Sequence, residues 1–282
     1  MTTTPAIRLF RTVNGIFAES ESRLHPVERD WDDLVNDDVL FDHLLTHCAS
    51  TPPLPSTSRV LDTVLAPIDR QEVWACGVTY FRSREARVAE SRDAGGGDFY
   101  ERVYDADRPE LFFKATAQRV VGHGAPMHLR RDSRWIVPEP ELTLAVTRNA
   151  RIIGYTVGND LSCRDIEGEN PLYLPQAKTF ERCAALGPGL LVTPEPLAPA
   201  TAIHLTIRRA DGVVADETTT LAQMKRSPSE LVEWLFRDNA HPAGCLLMTG
   251  TGIVPPDELS LEAGDVVDIA IDGIGTLSNP MD

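Results

Sequence analysis

Glu139 and Glu141 flank Pro140 near the start of an extended run, Asp160 closes the next such run, and Lys178 lies beyond them on a segment ending Lys-Thr-Phe. Residues two apart on a strand point to the same face, so both glutamates can reach one cation. A third carboxylate from a neighbouring strand completes an all-oxygen shell, which suits Mg²⁺, Mn²⁺ or Ca²⁺ rather than zinc. A bare Glu-x-Glu also fits a solvent-facing acidic edge, and the residues around Asp160 decide between the two.

These groups need strands to hold them, and the chain supplies strand patterns around them. Leu142 to Thr147 alternates, as does Ile152 to Val157, and Thr201 to Arg209 turns at Asp211-Gly212 into another strand. Upstream, residues 5 to 20 alternate around Asn14-Gly15, which predicts a β-hairpin. A helix is expected from Trp31 to about His47, with Leu34, Val39, Leu44 and Leu45 as buried positions. Ser50 to Arg59, rich in Pro, Ser and Thr, reads as a linker, and places a domain boundary near residue 65. That divides the chain into a small N-terminal unit, 1–65, and a catalytic unit, 66–282. Glu72 to Gly77 is a short apolar strand running into Gly77-Val78-Thr79-Tyr80. A charged helical segment over Ser83 to Ser91, with Gly95-Gly96-Gly97 after it, reads as a lid with a glycine hinge or as solvated surface. Ser227-Pro228-Ser229-Glu230 opens a helix through Phe236, with Ser227 as cap and Glu230 closing a capping box.

Composition narrows the function classes. The 282 residues carry 27 basic and 42 acidic side chains, a formal charge of −15. That field repels nucleic acid and anionic membranes, and pairs such as Arg130-Arg131 are too short to overturn it. A small anionic substrate stays compatible, because a bound divalent cation inverts the local potential. No apolar run reaches membrane-spanning length, and Met1 to Leu9 lacks the marks of a secretory signal. Five cysteines in no metal-binding spacing suit a reduced, cytoplasmic protein. A Walker or dinucleotide pattern is absent, as is a nucleophile elbow.

The run Gly154-Tyr155-Thr156-Val157-Gly158-Asn159-Asp160-Leu161-Ser162-Cys163-Arg164-Asp165 resembles the signature of the fumarylacetoacetate hydrolase superfamily. Further segments agree in order: Gly77 to Tyr80, Glu139/Glu141, Lys178-Thr179-Phe180 with Leu186-Gly187-Pro188, Thr249-Gly250-Thr251-Gly252, and Gly273 to Pro280. The resemblance spans roughly residues 70 to 282. It implies an α+β fold, with a mixed β-roll catalytic domain behind a small N-terminal α/β domain, and a homodimer or dimer of dimers. It further implies a Mg²⁺ site (Mn²⁺ as substitute) at Glu139, Glu141 and Asp160. Lys178 and Thr251 would face a 2-oxo acid or its enol form, with Tyr80 and Ser83 also in the substrate site. Lys178 is pulled toward its neutral form by a cation and by burial, and toward its charged form by three carboxylates.

Hydrolases of this superfamily commonly place a water-activating His–Glu pair after Gly-x-x-Tyr. Here the segment is Gly77-Val78-Thr79-Tyr80-Phe81-Arg82-Ser83-Arg84-Glu85-Ala86, with Ser83 in the histidine position and Ala86 in the glutamate position. Serine is no free-standing general base. The segment instead resembles the dehydratase branch that acts on 2-keto-3-deoxy sugar acids of pentose catabolism, giving 2,5-dioxopentanoate from a 2-keto-3-deoxypentonate. In that reading Lys178 stabilises the enolate or takes the C3 proton. Glu85 or Glu167 moves a proton near C4, and Arg84 forks the substrate carboxylate. The alternatives are an acylpyruvate or fumarylpyruvate-type C–C hydrolase, for which His123 and His128 are the nearby histidines, an oxaloacetate decarboxylase, or a non-enzymatic 2-oxo-acid-binding protein.

Overall fold

The computed structural model describes residues 6–83, 102–210 and 212–282. The Asn14-Gly15 turn joins β1 (Ile7–Thr12) and β2 (Gly15–Ser20), and β3 (Arg23–Val27) extends the antiparallel ribbon. The single helix expected after it is two: α1 (Trp31–Leu34) and α2 (Leu40–Ser50). Between them Asp37 Oδ1 accepts from Val39 N and Asn36 bonds to Ala243 and Arg148. Such short polar side chains compete with helical backbone bonds. Leu34 and Leu44 are buried as expected, whereas Val39 and Leu45 face outward.

The chain continues with β4 (Glu72–Gly77), β5 (Glu110–Thr116), β6 (Val120–Val121), β7 (Ile136–Val137), β8 (Pro140–Val146) and β9 (Ile152–Asp160). Next come β10 (Ser162–Cys163), α3 (Arg164–Glu169), α4 (Leu174–Lys178) and β11 (Ala184–Val192). The hairpin β12 (Ala202–Arg209) and β13 (Gly212–Thr220) precedes α5 (Pro228–Leu235), β14 (Cys245–Met248), β15 (Val266–Ile271) and β16 (Gly275–Pro280). Ser227 caps α5 by accepting from Glu230 N, but the Glu230 side chain turns to Arg226 at 2.6 Å.

The main sheet has the order β3-β2-β1-β11-β9-β8-β14-β4-β5, with β6 beside β11, and mixes parallel with antiparallel pairs. A second sheet has the order β13-β12-β15-β16. The fold is α+β: an N-terminal α/β unit and a C-terminal β domain, with the main sheet running through both at the β1–β11 pair. Leu142, Leu144 and Val157 of the main sheet pack with Ile203, Leu205, Ile269 and Leu277 of the second. On the opposite face Ala145, Ile153 and Met248 pack with Leu34, Leu40 and Leu44. β8 is therefore buried along its whole length, which its alternating sequence does not reveal.

Candidate metal and acid–base centre

Antiparallel register creates the carboxylate cluster. Pro140 lies opposite Asn159 and Glu141 opposite Gly158, so Asp160 falls across from Glu139, where Asp160 N donates to Glu139 O at 3.1 Å. Pro140 is tolerated at the first position of the strand. Ligand oxygens of Glu139, Glu141 and Asp160 all lie within 4.8 Å of one another, and all three side chains are buried.

Buried carboxylates need buried cations. Lys178, at the end of α4, donates to Glu139 Oε2 (2.5 Å), Asp160 Oδ2 (3.1 Å) and Ser162 Oγ (2.6 Å). Arg164, the first residue of α3, donates to Glu139 Oε1 at 2.7 Å. A third cation, Lys114 of β5, lies 2.5 Å from Asp160 Oδ1, an electrostatic contact without hydrogen-bond alignment. No motif points to Lys114, though a lone lysine in Leu111-Phe112-Phe113-Lys114-Ala115 carries a signal: a charge inside an apolar strand must be paired. Ser162 and Arg164 sit within the signature run, and neither carries a role in the sequence reading.

Glu141 differs from its neighbours. It accepts from Gly250 N at 2.6 Å and, among the described residues, makes no ion pair. Burial pushes its carboxyl far above the ordinary range; Asp160 and Glu139 add to the rise, against Lys178 and the Gly250 N–H. One carboxylate in an all-oxygen cluster thus has no ion-pair contact among the described residues. That donor set fits a hard divalent cation such as Mg²⁺ or Mn²⁺, which Glu139, Glu141 and Asp160 would hold.

Gly250 has φ +90°, and a Cβ there would lie 2.0 Å from Thr79 Oγ1. Gly250→Ala is expected to destabilise the protein by about 1–3 kcal/mol through this clash and the strained φ. Equilibrium denaturation measures it, and an unchanged midpoint and slope would show that the turn relaxes.

The other expected site residues divide. Tyr80 is fully buried, and its hydroxyl has no hydrogen-bond partner among the described residues. Burial, with Glu141 nearby, pushes its phenol upward. Glu167 is buried on α3. Thr251 Oγ1 donates to Ile253 O and accepts from Ile253 N, both at 3.1 Å, so its hydroxyl is used within its own turn. Ser83 Oγ likewise donates to Tyr80 O at 2.8 Å. Arg84 and Glu85, with the Ser83–Ser91 helix and the Gly95-Gly96-Gly97 hinge, lie outside the described residues. The histidines of the hydrolase alternative are engaged elsewhere: His123 Nδ1 accepts from Ser278 N, and His128 pairs with Asp282.

Glu110 is a further carboxylate, one that no sequence motif marks. It opens β5 opposite Gly77, and a Cβ at 77 would lie 2.0 Å from Glu110 Oε2. Glu141 and Glu110 both act on the Cys76 thiol, which burial above all pushes far upward. Gly77 thus provides the space that lets a second acidic group approach from β5.

Comparison with known proteins adds to this geometry. Residues 78–282 match the family described as fumarylacetoacetate (FAA) hydrolase C-terminal. A protein of Haloferax volcanii named probable 2-keto-3-deoxyxylonate dehydratase is 51% identical over 215 residues, 76% of this chain and 73% of that protein. The 2-dehydro-3-deoxy-D-arabinonate dehydratase of Saccharolobus solfataricus is 44% identical over 221 residues, 77% of this chain and 74% of its own. Among solved structures, a 2-keto-3-deoxy-D-arabinonate dehydratase complexed with magnesium and 2,5-dioxopentanoate superposes with a TM-score of 0.82 at 33% identity, covering 99% of this chain and 98% of that one.

Proposed function

The chain belongs to the fumarylacetoacetate hydrolase family, and from that premise we propose that it is a Mg²⁺-dependent dehydratase converting a 2-keto-3-deoxypentonate to 2,5-dioxopentanoate. The observation that carries the reading is a buried cluster of three carboxylates, one with no ion pair among the described residues, with a lysine ammonium against the other two. A 2-oxo acid is matched to such a centre because its carboxylate and C2 oxygen can chelate one cation. When bound, that cation would supply Lewis-acid polarisation of the 2-oxo group, which acidifies C3.

The chain's own residues divide the remaining work. Among the described residues Lys178 donates to two carboxylates and a hydroxyl, which favours its ammonium form. In that state it would donate to the C2 oxygen as negative charge develops there; to take the C3 proton it must first give up one of its own. Glu167, buried on α3, would hand a proton to the departing C4 hydroxyl, and Glu110, opposite Gly77, is a second carboxyl that could do so. Tyr80 would offer its hydroxyl, which has no partner among the described residues, to a polar group of the substrate. Thr251 and Ser83 would act through backbone groups of their turns, since their hydroxyls are already engaged. Arg84 would hold the substrate carboxylate, and Glu85 would be a further proton carrier.

The wider setting is part of the same proposal: a small anionic substrate, a homodimer or dimer of dimers, and a cytoplasmic location. All five cysteines are free, which suits a reducing compartment. Among the described residues no helix is long and apolar enough to cross a membrane.

An NMR time course tests the reaction, with purified protein and Mg²⁺ on 2-keto-3-deoxypentonate and, separately, on an acylpyruvate. The expected result is an aldehyde-bearing 2,5-dioxopentanoate that EDTA abolishes. Cleavage of the acylpyruvate into two acids, with the pentonate untouched, would move the protein to the C–C hydrolases.

A further inference from the structure

Lys114 is fully buried; its ammonium donates to the Leu161 carbonyl at 2.9 Å and the Lys178 carbonyl at 2.5 Å, and lies in ion-pair contact with Asp160 Oδ1 at 2.5 Å. The bond to the Lys178 carbonyl matters most. Lys178 ends α4, so its carbonyl belongs to the helix-terminal groups that have no partner within the helix. Lys114 supplies that partner from β5. The tie is reciprocal, because Thr179 Oγ1 lies 3.0 Å from the Lys114 carbonyl and 3.3 Å from that of Phe113. Bonds running in opposite directions thus pin the chain at Lys178-Thr179 to one strand. From this pinned backbone the Lys178 side chain reaches Glu139, Asp160 and Ser162.

We propose that Lys114 is a positioning residue, which fixes the Lys178 backbone against β5 and so holds the Lys178 ammonium where the substrate reacts. The proposal rests on the dehydratase reading of the site. Its physical basis is the steep dependence of catalysis on placement: a displacement of about 1 Å can cost roughly 100-fold in rate. A buried ammonium with several fixed acceptors is stiff in a way that an apolar contact is not, since each bond restricts direction as well as distance.

Lys114→Met keeps the length of the side chain and removes the ammonium. At saturating substrate and Mg²⁺ its kcat is expected to fall about 10- to 100-fold, with KM within about threefold of wild type. Mg²⁺ titrated alone by calorimetry should bind within about fivefold of wild type, because the three carboxylates remain and Lys178 still orients Asp160. Thr179→Val removes the reciprocal bond without leaving a buried charge unpaired, and is expected to lower kcat by about 3- to 10-fold. It decides the matter if the Lys114 variant does not fold. A kcat within twofold of wild type in a folded Lys114→Met, or in Thr179→Val if that variant alone folds, would overturn the proposal. So would loss of Mg²⁺ binding in step with kcat, which would assign Lys114 to Asp160 instead of Lys178. Wild-type protein that binds no Mg²⁺ in the same titration would sink the metal-dependent function, and the proposal with it.

Discussion

Lys178→Met is expected to lower kcat by about 10²- to 10⁴-fold while leaving the protein folded and able to bind Mg²⁺. The substitution retains most of the side-chain volume and removes an ammonium that contacts Glu139 Oε2, Asp160 Oδ2 and Ser162 Oγ. Arg164 still pairs with Glu139 and Lys114 with Asp160, so neither carboxylate is abandoned. Metal affinity should hold or rise, because a positive charge that competes for the same oxygens has gone. Turnover fails for a different reason: nothing else described lies against both Glu139 and Asp160 with a proton to give. Steady-state kinetics at saturating substrate, with calorimetric Mg²⁺ titration of the same sample, separate the two effects. Near-normal kcat would remove Lys178 from the chemistry, and lost metal binding would recast it as a structural part of the cation site.

Glu141→Gln should affect function and stability with opposite signs. Replacing one of three charged ligands is expected to weaken Mg²⁺ binding by about 100-fold or more, and activity at low Mg²⁺ with it. The metal-free variant should nevertheless melt above the metal-free wild type. Burial and two neighbouring carboxylates oppose ionisation of Glu141, and a neutral amide of the same shape is spared that opposition. Added Mg²⁺ should then raise the melting temperature of the wild type by mass action and leave the variant almost unmoved. Thermal unfolding with and without EDTA tests both halves. A variant that binds Mg²⁺ as wild type does would take Glu141 out of the ligand set, and a lower metal-free melting temperature would show that its Gly250 bond outweighs the repulsion.

How much of the site is legible in the sequence depends on the range over which each feature is determined. Glu139 and Glu141 share a face through the two-residue period of a strand, and Asp160 joins them through the adjacent antiparallel strand. Lys178 is legible through its place in a resemblance that covers the whole catalytic region. Lys114 and Glu110 are not, because β5 comes to the site only through its pairing with β4 in a mixed sheet. The family resemblance implies Thr251 and Ser83 in the substrate site, but it does not show that a hydroxyl is already engaged in its own turn. The break between α1 and α2 is hidden for a similar reason: Asn36 is drawn away by Ala243 and Arg148, more than a hundred residues distant in sequence.

The burial of β8 on both faces bears on how the cation is met. Strands enclosed in this way belong to the last parts of a protein to open, and their amides exchange with solvent only on near-global unfolding. The β8–β9 register itself brings the ligands together at the end of such a hairpin. Crowding three negative groups together is thus a cost borne by the folding reaction, and the incoming ion finds a rigid socket that need not close around it. Such a socket should take up and release its ion quickly, with little change in the hydrogen exchange of the strands that carry it.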